Sequence, residues 1–372
     1  MSLPVDLLNF CLGAAALGAS LILVPVARQF GLRYGLVDSV HPAKIHAEPK
    51  VRCGGIGIYL AFVFMLAGGL LALRIPAVVE LIPVHLRQHL TNIPSVTGKL
   101  AAIMLGATIM FLTGLVDDKR NLRPIIKLAF QVVAALPLIA AGITIKSFLP
   151  GFALSALLTV FWVILLTNSF NFLDNMNGSS SGIVCVCALN FYLVSRAGGE
   201  YFMMAMFALL IGATLGFLRY NFPNARLFMG DSGSLFLGFM LAALSIRVTY
   251  YQSGVPTQLP VIAPLIILGV PLFDTASVMY IRWRNRKPFT QGDQNHFSHR
   301  LVALGFSRAK AVMFIWLITF TVGLSAVNLR TLNLQGALIA LLQVILFFLI
   351  IYFLETTGKR AMNEKENVSN GN

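Results

Sequence analysis

The chain has 372 residues, 57% of them hydrophobic and only 11% charged, with a formal net charge of +14 and a mean hydropathy of +0.80. Soluble domains carry nearer a quarter charged residues, so an ordinary soluble domain is excluded and an all-α polytopic membrane bundle is indicated. The Lys and Arg residues are scattered among short loops, which fits the positive-inside rule with a smaller part for anionic lipid or phosphate partners, and argues against nucleic acid.

Eleven apolar runs have about the 20-residue length that spans a bilayer as a helix: 5–26, 54–73, 100–116, 125–143, 149–167, 181–196, 202–218, 233–251, 259–280, 311–328 and 335–355. A closed β-barrel would need short alternating segments instead. Between the second and third runs, residues 75–99 carry Glu80, His85 and His89 among apolar residues and read as an interfacial amphipathic helix. Residues 1–355 are expected to form one transmembrane domain. Residues 356–372 are expected to be a short, polar, disordered tail. The early apolar run carries Asp6 and no basic start, so a cleaved signal peptide is not expected. Cys185 and Cys187 are two apart, which does not bring them to one helix face, so neither zinc nor a disulfide is expected from the four cysteines.

An odd number of spans puts the termini on opposite sides. Of the 28 Lys and Arg residues, 21 fall in the segments 27–53, 117–127, 219–231, 281–310 and beyond 355. Those segments are therefore read as cytoplasmic, with the N-terminus outside and the C-terminus inside. The same count gathers Asp117, Asp118, Asp174, Asp231 and Asp293 on the cytoplasmic face. Carboxylates in or beside lipid are costly and each needs a reason.

The carboxylates sit in four polar islands. Asp117-Asp118 closes the third run; an adjacent pair suits metal binding, a proton relay or helix termination, and its mutual repulsion favours a nearby cation. Asn168, Asn171 and Asp174 are three apart and share a helix face, where they suit a phosphate, a sugar amide or a carboxylate. Gly178 and Ser179 to Ser181 follow, a helix start suited to an anion or to plain capping. The stretch from Asn221 to Ser234 contains Phe228, which is placed to stack on a base, and Asp231, the first choice for magnesium, a cation that takes one or two carboxylates plus substrate phosphates. Asp293, His296, His299 and Arg300 form the fourth island, a cationic cradle for a diphosphate; zinc on the His pair lacks a third nitrogen or sulfur ligand nearby. The loop with Asp38, Lys44, His46, Arg52, Gly54 and Gly55 extends the basic rim, and Lys127 joins Lys44 and His46 in the expected substrate-binding set.

Taken together, from Gly35-Leu36-Val37-Asp38 to Leu301, these stretches resemble the polyprenyl-phosphate N-acetylhexosamine-1-phosphate transferase family. His296-Phe297-Ser298-His299-Arg300-Leu301 resembles the His-x-x-His-Arg-Leu motif of its N-acetylglucosamine-1-phosphate branch, not the His-His-His run of the pentapeptide-transferase branch. The resemblance implies a bundle of ten or eleven transmembrane helices in the bacterial cytoplasmic membrane. It implies Asp117 and Asp118 as the catalytic aspartate pair and Asp231, joined by Asp118, as magnesium ligand, with manganese as the substitute ion. It implies Phe228 against uracil, and Asn171 and Asp174 against nucleotide or metal; Asn168 and Asn177 join the expected substrate-binding set, Asn177 toward uracil or ribose. His296, His299 and Arg300 are implied to hold the diphosphate or sugar. Departures from the family pattern are Asn177 where a second aspartate is common, Ser179-Ser180, Asn224 and Ser298.

The implied partners are a UDP-N-acetylhexosamine, undecaprenyl phosphate and membrane lipids, with a homodimer permitted. The implied reaction is attack of the acceptor phosphate on the β-phosphorus of the donor, releasing UMP. The alternative is a cation- or proton-coupled transporter, which also places carboxylates in a membrane but calls for an acidic path near the midplane and often inverted repeats. No repeat is visible.

Overall fold

The computed structural model describes residues 4–38, 50–84, 87, 93–145, 151–250, 262–288, 295–329 and 332–370. The chain forms two compact units, Met1–Val248 and Thr249–Asn372.

In the first unit, α1 (Val5–Tyr34) leads to a two-stranded antiparallel pair, β1 (Val37–Asp38) and β2 (Lys50–Val51). Then come α2 (Gly54–Ala72), the six-residue α3 (Pro76–Leu81), α4 (Ile93–Arg120), α5 (Pro124–Ala140), α6 (Phe152–Leu173), α7 (Ser179–Ala197), α8 (Tyr201–Asn221) and α9 (Asp231–Arg247). The second unit has α10 (Ala263–Ile267), α11 (Gly269–Arg284), α12 (Phe297–Ala303), α13 (Arg308–Val327) and α14 (Leu334–Asn370).

Helix α9 is the axis of the first unit. Every residue from Ser232 to Ser245 is buried, the mark of a helix surrounded by others on all sides. It packs against α2, α4 and α6, while α1 packs on α2 and α8, and α7 on α8. Outward-facing apolar side chains such as Phe10, Ile22, Phe64 and Leu157 are exposed, as lipid-facing positions are in a membrane bundle.

Among the described residues, eight helices are long and apolar enough to cross a membrane. The remaining expected spans take other forms. Runs 125–143 and 233–251 become 17-residue helices. Run 259–280 breaks at Leu268 into α10 and α11. Pro271 has no N–H for the carbonyl four residues back, so the chain restarts a helix with the proline in its first turn. Residues 75–99 are not one interfacial helix: α3 is six residues long, α4 begins at Ile93, and His85 and His89 lie outside the described residues. The expected boundary at 355 is crossed by α14, which continues to Asn370. Its last part includes Glu355, Lys359, Arg360, Glu364, Lys365 and Glu366, good helix formers that extend a helix already nucleated by the apolar run.

Candidate active site

The first unit brings the first three islands together at one set of helix ends. Helix α4 stops at Arg120 because Asn121 turns into the left-handed region (φ 48°), a conformation Asn tolerates better than most residues. Its N–H bonds Asp117 O, and the next N–H, of Leu122, donates to Asp117 Oδ1. Pro124 then starts α5 at a position where a missing N–H costs nothing. This tight turn brings Lys127, one turn into α5, back over Asp117.

Lys127 Nζ donates to Asp117 Oδ2 at 2.8 Å and to Asp231 Oδ2 at 3.0 Å. One ammonium therefore bridges two carboxylates from helices α4 and α9. Asp117 is buried, and the Lys127 and Asp231 side chains keep 23% and 27% exposure, so the bridge lies at an opening and not in a sealed core.

Asp118 has a different task. Its Oδ1 accepts from Asp231 N at 2.7 Å and its Oδ2 from Ser232 N at 3.0 Å. Both are orphan donors in the first turn of α9, and the carboxylate meets the positive end of that helix dipole. Two glycines permit the approach. A Cβ on Gly114 would collide with the backbone of Asp231 and Ser232, and Gly230 has φ 76° with the Asp118 carboxylate 2.6 Å from where its Cβ would stand. The island Gly114-Leu115-Val116-Asp117-Asp118 thus reads as a docking surface for the start of α9 as well as a pair of acids.

Asp174 is the residue after α6. Burial pushes its carboxyl up to about 8, with the negative charges of Asp231 and Asp118 adding to the rise and Arg52 opposing it. Three carboxylates thus act on one another at this site. Asn171, one turn earlier, donates to Ser234 Oγ at 2.9 Å.

The stretch before α9 is held by backbone. Phe228 N donates to Val51 O, Gly54 N to Phe228 O and Gly55 N to Met229 O. Lys50 Nζ lies 5.5 Å from the Phe228 ring centroid, within cation–π range. Gly178 N donates to Asn221 Oδ1 at 2.6 Å, and Asn177 Nδ2 to Pro223 O at 3.1 Å. The amide of Asn177 therefore fastens the loop before Asp231.

Asn168 is also occupied within the protein. Gln131 Nε2 donates to Asn168 Oδ1 at 3.2 Å, and Asn168 Nδ2 returns a bond to Gln131 Oε1 at 2.8 Å and another to Ile164 O at 2.7 Å. This reciprocal amide pair ties α5 to α6. It sits one turn beyond Lys127 on one helix and one turn before Asn171 on the other.

The second unit holds the fourth island. His296 Nδ1 lies 2.8 Å from Asp274 Oδ2, and Phe297 N donates to Asp274 Oδ1. Arg300, buried, donates through Nη1 to Asn295 O at 2.9 Å and through Nη1 and Nη2 to Ser277 Oγ at 3.1 Å. Two of the residues expected to cradle a diphosphate, His296 and Arg300, thus also hold their own loop in shape. His299 is half-buried in α12. Lys44, His46 and Asp293 lie outside the described residues.

Gln131 and Asp274 are absent from the expected site. Each is a polar side chain inside an apolar run, and the rule that intramembrane carboxylates need a reason applies to Asp274 as fully as to the other five aspartates.

A polytopic helical protein with acids from several helices gathered at one end around a single lysine is a membrane enzyme in form, and comparison with known proteins gives its kind. Residues 100–249 match the family model described as glycosyl transferase family 4. A probable undecaprenyl-phosphate N-acetylglucosaminyl 1-phosphate transferase of Bacillus subtilis (strain 168) is 31% identical over 353 residues, covering 93% of this chain and 90% of that protein. A decaprenyl-phosphate N-acetylglucosaminephosphotransferase of Mycolicibacterium smegmatis is 28% identical, covering 78% and 74%. A phospho-N-acetylmuramoyl-pentapeptide-transferase of Streptococcus mutans is 27% identical, covering 72% and 80%. The chain belongs to this family of polyprenyl-phosphate sugar-1-phosphate transferases.

Proposed function

We propose that this protein transfers N-acetylhexosamine 1-phosphate, with N-acetylglucosamine 1-phosphate first in line, from a UDP-sugar to undecaprenyl phosphate. UMP leaves, and the lipid-linked first sugar of a cell-surface polymer remains in the bacterial cytoplasmic membrane with the active site on the cytoplasmic face. The observation that carries this reading is the meeting of Asp117, Asp231 and Lys127, with Asp118 and Asp174 beside them, in a chain 31% identical to an undecaprenyl-phosphate transferase over nearly its whole length. Family membership gives the transporter alternative no support.

The acceptor phosphate has a second pKa of about 6, so at neutral pH it is already largely ionised and needs little help from a base. The obstacle is repulsion between two polyanions. Lys127 supplies one positive charge at the mouth of the site. Asp118 holds the first turn of α9 in place, and with it Asp231. Asp117 is placed to orient the acceptor or take its last proton. The long prenyl chain gains about 0.8 kcal/mol per buried CH₂, so it stays in lipid and the reaction must come to it.

Among the described residues no three His, Cys, Asp or Glu side chains form a ready metal cage. The donors at hand are hard carboxylate oxygens, Asp231 first. That suits magnesium or manganese, which complete their shells with water and substrate phosphates, and does not suit zinc. When bound, such an ion would supply charge neutralisation at the transferring phosphoryl group.

The test is purified protein with magnesium, undecaprenyl phosphate and a panel of UDP-sugars, read by UMP release and by the mass of the lipid product. Asp231→Asn should lower turnover by at least about 10²-fold, the size of losing one electrostatic stabiliser. No UMP from any UDP-N-acetylhexosamine, with folded protein, refutes the reading.

A further inference from the structure

Asp274 lies on α11 with none of its surface exposed. A buried carboxylate is tolerated only when its oxygens are matched, and here both are. Oδ1 accepts from Phe297 N, and Oδ2 meets His296 Nδ1 at 2.8 Å. A carboxylate oxygen that is not itself protonated can only accept, so the 2.8 Å contact suits His296 Nδ1 as the donor.

The surroundings fix the backbone on both sides of His296. His296 is the N-cap residue of α12 and makes no side-chain cap bond of its own; Asp274, from another helix, supplies that bond through the following N–H. On the other side, Asn295 O accepts from Arg300. Arg300 is in turn held by Ser277 Oγ, whose hydroxyl donates back to Asp274 O at 2.9 Å. The peptide units before and after His296 are thus anchored, one to the Asp274 carboxylate and one to a guanidinium tied to the same turn of α11. Histidines that act on ligands commonly have their other nitrogen set in this way by a carboxylate.

We propose that Asp274 is the positioning residue of His296, holding the imidazole in the Nδ1–H form so that Nε2 is the nitrogen offered to the phosphate groups of the substrate. This rests on the proposed transferase reaction. Asp274 itself touches neither substrate nor reacting atoms and acts through the ring.

Two independent measurements test it. Histidine labelled with ¹⁵N in the detergent-solubilised protein reports ring tautomers directly, with the His296 signals identified by their loss in His296→Gln. The wild type is expected to show the Nδ1–H pattern at this residue; the Nε2–H pattern there overturns the proposal without any variant or assay. The second measurement is a kinetic cycle. Asp274→Asn presents an amide that can donate to Nδ1 and favours the other tautomer. It should lower kcat by roughly 10²–10⁴-fold, the range seen when a histidine loses its orienting carboxylate, with a smaller change in KM. In a His296→Gln background the same substitution should cost less than about threefold, because two residues acting as one unit are not additive. Equal losses in both backgrounds would mean that Asp274 only supports the fold, and would overturn the proposal. Should Asp274→Asn not fold, Asp274→Glu keeps a carboxylate and is expected to keep the Nδ1–H signal; loss of that signal in folded Asp274→Glu counts against the idea. Wild-type protein that shows the expected tautomer but releases no UMP would instead refute the transferase reading alone.

Discussion

Asp118→Asn separates two roles that an acidic pair can play. If Asp118 serves mainly to hold the start of α9, its loss is felt as stability. Its two oxygens accept from Asp231 N at 2.7 Å and Ser232 N at 3.0 Å. Asparagine keeps one acceptor and turns an NH₂ toward the second N–H, so one bond is lost and one helix donor is orphaned. A hydrogen bond to a charged group is worth about 1.5–3 kcal/mol, and the charge at the helix N-terminus adds about 0.3–1 kcal/mol. Asp118 is only half-buried, so water replaces part of this, and about 2 kcal/mol remains. For a unit of some 250 residues that lowers the melting midpoint by roughly 4–8 °C. Cys53, Cys185 and Cys187 are buried thiols outside any disulfide, so a thiol-reactive dye reports unfolding directly once exposed Cys11 is replaced by serine. The comparison is made without divalent metal. An unchanged midpoint, together with a large loss of manganese affinity by electron paramagnetic resonance, would refute the capping argument and make Asp118 a ligand.

Three further outcomes follow from the same geometry. Lys127→Met leaves the carboxylates of Asp117 and Asp231 facing each other without their shared ammonium; turnover should fall while manganese binds about tenfold more tightly, about 1.4 kcal/mol, and weaker binding would contradict the bridge. Asp174, raised from 3.8 to about 8 by burial and its acidic neighbours, must lose a proton before an ion can use that site. Manganese affinity should therefore rise steeply between about pH 6 and 8 and level off above, with proton release seen in calorimetry; a flat profile would sink this. For folding the sign is opposite: the folded state binds this proton more tightly than the unfolded chain, so stability without metal declines as pH rises from about 4 to about 8. Finally, Asn168→Leu and Gln131→Leu should each cost about 1–3 kcal/mol by stranding a buried amide, and the double variant should be more stable than either single one; additive losses would show that the pair is not reciprocal.

Composition and order along the chain were enough to place this protein in a membrane, and the four polar islands were enough to recognise its family. The reason is general. Lipid tolerates polar groups only at a cost, so the few that occur stand out against apolar runs in any reading of the residues. The places of the spans were legible for the same reason, but several ends were not: α1 runs on to Tyr34, α4 begins at Ile93, the run 259–280 breaks at Leu268 and α14 continues past 355.

What the residues do to one another was decided only by tertiary structure. Spacing along a helix identifies neighbours three or four apart and says nothing about contacts between helices. Asp117 and Asp118 are adjacent in the chain, yet one takes the ammonium of Lys127 and the other the first turn of α9, because Gly114 and Gly230 let two backbones come together there. Asn168 meets Gln131 across two helices, a pairing that the spacing along either helix does not show. Asp274 stands 22 residues before its histidine, and only the packing of α11 against α12 brings the two side chains within 2.8 Å. Hydrophobicity sets where a side chain resides; close approach of helices sets which atom it meets.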